Sequence, residues 1–475
     1  MSRPEIPHLS PSLRLAWLAV AASAVLTACG GGDDPPAPTP PSPPARGSVV
    51  SAAVVAPVTA GEIDASTAKS GLQALSGAAA CGVEVRQVVY NTRDPKGAAA
   101  TAAAAVMVPT GTSAACSGSR PVLLYAHGTS VDKAKNMADV LGDGEAGLVM
   151  AMYAAQGFIV VAPNYLGYTG SSLGYHPYLH AESSAVDMID GLRAAKAHLA
   201  AQSGVAQPGA KLFVSGYSQG GHVAMATHKV LERDHAAELP VTASGPMSGP
   251  YNLVGFGDAI VGVQVNAGAT LFAPMVLTSY QLSYGNIYAS VTDVYQAPWA
   301  ATAENLLPSA TPVATLMTQG KLPADPTFTA LFGTGGLLTD AFRAGYPTSA
   351  YRAALQTNTL LGWTPRAAMA MCGGANDPTV FWSVNTPAVK ADFASRGVTV
   401  PALDLEAAPA ATDPTYPVYA GFAKAKSDRA AAAVAAGATD GGQAAVLGDY
   451  HGALVPPFCT TLVRGFFQQV LAAAP

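Results

Sequence analysis

Between residues 211 and 231 a short apolar run, Lys211-Leu212-Phe213-Val214-Ser215, passes through Gly216-Tyr217-Ser218-Gln219-Gly220 directly into a helical stretch, 221–231. A strand that turns this sharply into a helix brings backbone segments too close for a side chain at either glycine. The turn lifts the Ser218 hydroxyl into the open. Such a junction needs a buried strand with a helix directly behind it, which calls for a sheet layered with helices. A second match to the same spacing, Gly170-Ser171-Ser172-Leu173-Gly174, fails on context. It sits well past its strand, in a loop near Tyr168 and Pro177, and no helix starts at its second glycine.

The rest of the chain supplies the alternation. Residues 83–90 and 102–108 read as two early strands around the turn-like Asn91-Thr92-Arg93-Asp94-Pro95, an antiparallel entry. Residues 121–126 and 158–162 are short apolar runs bounded by loops, as in strands buried on both faces of a parallel sheet. Helical patterns at 147–156 and 181–201 separate them, the second placing Met188, Ile189, Leu192 and Leu199 on one face. Strands at 241–246 and 366–371 bracket a long interval of mixed helix and loop, read as an inserted cap over about 250–365. The cap holds Phe272, Met275, Tyr280, Tyr284, Tyr288, Tyr295 and Trp299. A stripe of this kind is more often the core of a cap than a substrate groove, yet a cap must line whatever pocket it covers. The expected fold is α/β, in the α/β-hydrolase layout: a mostly parallel central sheet, helices on both faces, and a large, mainly helical cap. One such domain accommodates 475 residues.

Serine is a poor nucleophile at neutral pH; it needs an imidazole to take its proton and a carboxylate to hold that imidazole in the right tautomer. In this layout the order along the chain is Ser, acid, His. His451, in Gly448-Asp449-Tyr450-His451-Gly452, lies in an expected loop before the final amphipathic helix and is the only histidine beyond His235. His222, His228 and His235 lie on or just after the helix behind Ser218, the wrong topology for the base. The preferred acid is Asp377, in a Gly-rich loop leaving the 366–371 strand; Asp404, Glu406 and Asp449 are its rivals. Oxyanion donors are expected at Gln219 and, after the 121–126 strand, at Gly128 or Thr129, with His127 stabilising the turn.

Four ordered motifs, Tyr125-Ala126-His127-Gly128-Thr129, Ala162-Pro163-Asn164-Tyr165-Leu166-Gly167-Tyr168, His176-Pro177-Tyr178 and Gly216-Tyr217-Ser218-Gln219-Gly220-Gly221-His222, together resemble the secretory-lipase branch of the α/β-hydrolases. The likeness runs from about Val83 to the C-terminus, and it implies hydrolysis of carboxylic esters, often on lipid-like acyl chains. Two departures stand out: Asn164 where Asp is common, and an Ala-rich helical insertion around 420–436. The same triad would serve a peptidase or amidase, and a surface lipoprotein that only binds a partner is a further reading.

At the N-terminus, Arg3 and Arg14 precede an apolar run, 15–26, too short to span a bilayer, which reads as a signal peptide over 1–28. It ends in Leu26-Thr27-Ala28-Cys29, which resembles the lipobox of bacterial lipoproteins, so Cys29 is the expected lipidation site and membrane anchor. Gly30 after the cysteine resembles sorting to the outer membrane of a Gram-negative cell envelope. Residues 29–47 form the expected Pro-rich tether, with no large apolar residue to pack through Arg46, and 48–475 the hydrolase domain. Of five cysteines, Cys29 aside, Cys81, Cys116, Cys372 and Cys459 form an even set in an oxidising compartment. Three pairings are open; Cys81 with Cys116 and Cys372 with Cys459 are preferred, because each pair flanks segments the layout places side by side. A net charge of −5 without a Lys/Arg cluster argues against nucleic acid. No cofactor or metal is expected: there is no nucleotide-type phosphate loop, and His176, His180 and Glu182 lack a further ligand cluster.

Overall fold

The computed structural model describes residues 43–473; the signal segment, Cys29 and the tether up to residue 42 lie outside the described residues. The elements run β1 (Val49–Val58), α1 (Ala60–Ser70), β2 (Gly82–Arg93), β3 (Ala99–Thr110), β4 (Ser119–Ala126), α2 (Gly144–Met152), β5 (Ile159–Pro163), α3 (Ala181–Ala200), β6 (Gln207–Tyr217), α4 (Gln219–Asp234) and β7 (Val241–Met247). The cap follows, with α5 (Leu253–Gly262), α6 (Ala269–Tyr284) and α7 (Ala350–Thr357). Then come β8 (Ala368–Met369), β9 (Met371–Gly373), α8 (Trp382–Ser395), β10 (Ala402–Asp404), α9 (Tyr416–Ala435), α10 (Gln443–Asp449) and α11 (Val455–Ala473).

The strands form one sheet in the order β1-β2-β3-β5-β4-β6-β7-β9-β10, with β8 beside β7. The β1–β2, β2–β3 and β3–β5 pairs are antiparallel and every later pair is parallel, which is the mostly parallel layout with an antiparallel entry. Side chains alternate across the sheet as the period of two requires. Leu123, Tyr125 and Phe213 face α2 and α11, meeting Tyr153 and Phe467. Val122, Leu124, Leu212 and Val214 face α3 and α4, meeting Met188, Ile189, Leu192 and Val223. The cap has a core of its own, in which Met275, Leu277, Tyr280, Val294 and Tyr295 are buried.

Four features differ from the sequence reading. Residues 366–371 are not one strand: β8 and β9 are short and separated at Ala370. The edge strand β1 was not foreseen, because Val49, Val50, Val54 and Val55 are exposed and show no buried face. His451 stands in a π-helical turn, Tyr450–Leu454, continuous with the helices around it, and not in a loop. The described end of the tether is also fastened down. Arg46 reaches the buried Asp190 at 2.9 Å, Gly47 donates to the Asn91 carbonyl at 2.8 Å, and Arg93 donates to the Pro44 carbonyl at 2.8 Å. One ion pair and two hydrogen bonds hold this segment.

Both predicted disulfide pairs are present, Cys81–Cys116 and Cys372–Cys459, spanning 35 and 87 residues. Beneath α3, burial pushes the Asp187 carboxyl up to about 7, even though the Tyr90 hydroxyl and the Leu166 N–H donate to it at 2.8 and 3.1 Å. Its folded value lies above its ordinary 3.8, so its contribution to stability is complete below about pH 4 and is lost as pH rises through about 7. In Asp187→Asn the new amide donates to Tyr90 while its oxygen still accepts from Leu166. The variant should therefore flatten the dependence of Tm on pH between 4 and 8 and melt higher than wild type at pH 8; a lower Tm at pH 8 would refute this account.

Candidate active site

The elbow is built by close backbone contacts. A Cβ on Gly220 would stand 1.9 Å from the Ala126 carbonyl oxygen, and one on Gly216 would stand 2.3 Å from the Gly220 carbonyl oxygen. Between them Ser218 adopts φ 59°, a left-handed conformation that costs a non-glycine residue about 1–3 kcal/mol and must be held by its surroundings. Part of that hold is the Ser218 N–H, which donates to the Met247 carbonyl at 2.9 Å.

The structure brings three of the sequence candidates into line. His451 Nε2 lies 2.7 Å from Ser218 Oγ, and His451 Nδ1 lies 2.6 Å from Asp377 Oδ2. Asp377 is itself fixed, its Oδ1 accepting from the N–H groups of Thr379 and Val380 at 2.9 and 3.0 Å. With the Nδ1 proton directed at the carboxylate, Nε2 is left to accept from the serine hydroxyl. Tyr217 adds a tie not read from the sequence: its hydroxyl donates to the His451 carbonyl at 2.6 Å. The Cys372–Cys459 bridge joins the strand before the Asp377 loop to the helix after His451.

Gln219 opens α4, so its N–H has no carbonyl partner within the helix. Its side chain donates to His176 Nε2 at 2.6 Å, and the other nitrogen of that ring bonds the Leu166 carbonyl at 2.8 Å. Burial lowers His176 to about 3, so the ring is neutral and free to accept. Of the two candidates for the second amide, Gly128 is ruled out: its N–H is committed to Glu145, at 2.9 and 3.1 Å from the two carboxylate oxygens. The Thr129 N–H has no partner among the described residues, and Thr129 lines the cavity with Ser218 and Gln219. No motif in the sequence marked Glu145 for this part.

The remaining candidates have other occupations. His127 is buried between the carbonyls of Gly128 and Asn164, stacks on Tyr165 at 4.1 Å, and is lowered to about 3 by burial. A neutral ring has one N–H, so only one of those two contacts is a hydrogen bond at a time. Asn164 uses its amide as both donor and acceptor, receiving the Met137 N–H at 2.7 Å and donating to Asn136 and Thr169 at 3.1 Å, which Asp could not do. His222 bonds the Asn358 carbonyl, His228 lies between Ser244 and Glu232, and His235 contacts Arg193. Ser172 of the false motif is pinned to Thr101 on β3. His180 caps α3 and Glu182 pairs with Arg233, so neither joins His176. Among the described residues no cluster of three or more His, Cys, Asp or Glu side chains could hold a metal ion.

Beside Ser218 lies an open cavity, with about 820 Å³ of empty space when the solvent at its mouth is included. Leu253, Phe256, Ile260, Phe272, Val276 and Leu331 from the cap make it apolar, and Ser218, Gln219 and Thr129 also line it. Of the cap stripe, only Phe272 reaches this cavity, while Met275, Tyr280 and Tyr295 are cap core.

A serine on a strand-to-helix elbow, over a mostly parallel sheet with helices on both faces, defines an α/β-hydrolase. The LipA esterase from Xanthomonas oryzae, described as rice cell wall degrading, matches with a TM-score of 0.67 and 32% identity over 76% of this chain and 91% of its own. The chain belongs with it to the secretory-lipase branch of the α/β-hydrolases, and it is a hydrolase by family. A variant of the same esterase matches over 90% of this chain and 99% of its own, at 28% identity and a TM-score of 0.72. Candida antarctica lipase A shares the fold, with a TM-score of 0.52 and 15% identity over 75% of this chain and 76% of its own. No family model matches the sequence, and neither does any curated protein.

Replacing Cys372 and Cys459 together by Ala opens an 87-residue loop. The expected loss of stability is about 4 to 5 kcal/mol in the chain-entropy account, read as a lower urea midpoint. A midpoint equal to wild type would mean that the bridge constrains neither state.

Proposed function

We propose that this protein is an exported, lipid-anchored serine hydrolase that cleaves carboxylic esters through an acyl-enzyme. The observation that carries the reading is the alignment of Asp377, His451 and Ser218, with Ser218 lining an apolar cavity. Ser218 Oγ attacks the ester carbonyl as its proton passes to His451 Nε2, and Asp377 stabilises the imidazolium that forms. The N–H groups of Gln219 and Thr129 receive the oxyanion of the tetrahedral intermediate. Collapse transfers the proton from His451 to the departing alkoxide and leaves the acyl group on Ser218. Water, deprotonated by the same imidazole, then attacks the acyl carbonyl and releases the carboxylic acid.

The cavity favours an apolar acyl chain, because each CH₂ taken from water contributes about 0.8 kcal/mol. The signal segment 1–28, Cys29 and the tether to residue 47 fit an enzyme held at the cell envelope, in the outer membrane of a Gram-negative cell. The likeness to a cell-wall-degrading esterase supports substrates met outside the cell.

Two measurements test this. With p-nitrophenyl esters from acetate to palmitate, kcat/KM should rise from acetate to hexanoate, and Ser218→Ala should lose more than about a thousandfold in kcat. No turnover of any ester, with no labelling of Ser218 by a fluorophosphonate, would overturn the hydrolase mechanism. Separately, expression in a Gram-negative host with radiolabelled palmitate should label the wild type in the outer-membrane fraction and leave Cys29→Ala unlabelled; label retained in the variant would remove Cys29 as the anchor.

A further inference from the structure

The three carboxylates that rival Asp377 in the sequence are assembled beside the base for a different purpose. Asp404 Oδ1 accepts from the Ala375 N–H at 2.9 Å, and the Leu405 N–H donates to the Gly373 carbonyl at 2.9 Å, so the corner after β10 is fastened to the acid loop. From that corner Glu406 turns to the base segment: its Oε1 accepts from the Tyr450 hydroxyl at 2.6 Å. Tyr450 immediately precedes His451, and its ring runs beneath the acid loop, where a Cβ on Gly374 would meet the hydroxyl at 2.1 Å. Glu406 thus bonds the base segment from a corner that is itself bonded to the acid loop.

The Ala-rich helix α9, the second of the two departures from the family pattern, contacts both Glu406 and the base segment. Its Lys426 pairs with Glu406 Oε2, its Arg429 pairs with Asp449, and its Phe422 packs edge-on against Tyr450 at 5.8 Å. Burial alone would raise the Glu406 carboxyl, but the Lys426 ammonium and the Tyr450 hydroxyl outweigh it and hold it below its ordinary value. Glu406 is therefore an ionised acceptor at neutral pH. A partly exposed pair such as Lys426–Glu406 adds little to stability. Displacing a reacting group by about 1 Å, by contrast, costs about a hundredfold in rate.

We propose that Glu406, braced by Lys426 of α9, is a positioning residue for His451, acting through the Tyr450 hydroxyl to keep the imidazole in reach of both Asp377 and Ser218. This rests on the hydrolase reading above. Neither Glu406 nor Tyr450 lines the cavity, so the effect belongs in kcat and not in KM.

The full chain is assayed on p-nitrophenyl butyrate, wild type first. An inactive wild type would sink the hydrolase reading itself, before any variant is compared. Given wild-type turnover, Glu406→Ala and Tyr450→Phe should each lower kcat by about tenfold with KM within about twofold, and fluorophosphonate labelling of Ser218 should slow in parallel. The double variant should lose no more than either single one, because both remove the same bond. Glu406→Gln, which keeps an acceptor for the hydroxyl, should recover most of the rate. Tyr450→Phe removes one oxygen atom and serves if Glu406→Ala folds poorly. The proposal is overturned if both single variants keep kcat within about twofold of wild type, if KM rises in place of kcat, if the losses add, or if Glu406→Gln is as slow as Glu406→Ala.

Discussion

The contact on which the site depends lies between Gly220 and the end of β4, where the backbone of α4 comes so close to the Ala126 carbonyl that only a hydrogen atom fits between them. Ser218 stands two residues before Gly220 at φ 59°, and the strand that leads into the turn pairs with β4 up to Ala126, where Gly216 is its partner. The candidate nucleophile and the candidate oxyanion donors therefore come from one junction between two neighbouring parallel strands.

That local origin explains what could be read from the sequence. The elbow, the strand runs and the helices at 181–201 and 221–231 are written in patterns a few residues long, and they reappear as β6, α3 and α4. The choice between Gly128 and Thr129 was not legible, because it turns on Glu145, a side chain delivered by a separate helix. The break between β8 and β9 likewise depends on neighbours: Ala370 bonds Ser244 on β7, whereas Met371 turns to Pro401. The strand β1 carries valines on exposed positions, so it lacks the buried alternation by which strands are recognised.

The candidate base presents the opposite problem, since His451 stands 233 residues from Ser218 along the chain. Nothing local can place it. The fold solves this with several modest ties converging on one turn: the Asp377 carboxylate at the ring, the Tyr217 hydroxyl at the carbonyl, and a disulfide eight residues further on at Cys459. Asp404, Glu406 and Asp449 looked interchangeable with Asp377 as acids because a sequence records charge and order but not direction. In the structure each faces a bonding partner of its own, and only Asp377 faces the imidazole.

The docking of Arg46 on Asp190 bears on how the molecule can be oriented. Register through β3 makes β2 run in the same direction as β5, so Asn91, which receives Gly47, lies at the end of the sheet where the parallel strands finish and Ser218 begins its turn. Residue 44, whose carbonyl receives Arg93, therefore lies at the same pole of the folded domain as Ser218. A label placed on residue 44 would report on the end of the sheet where Ser218 stands, and not on the opposite one.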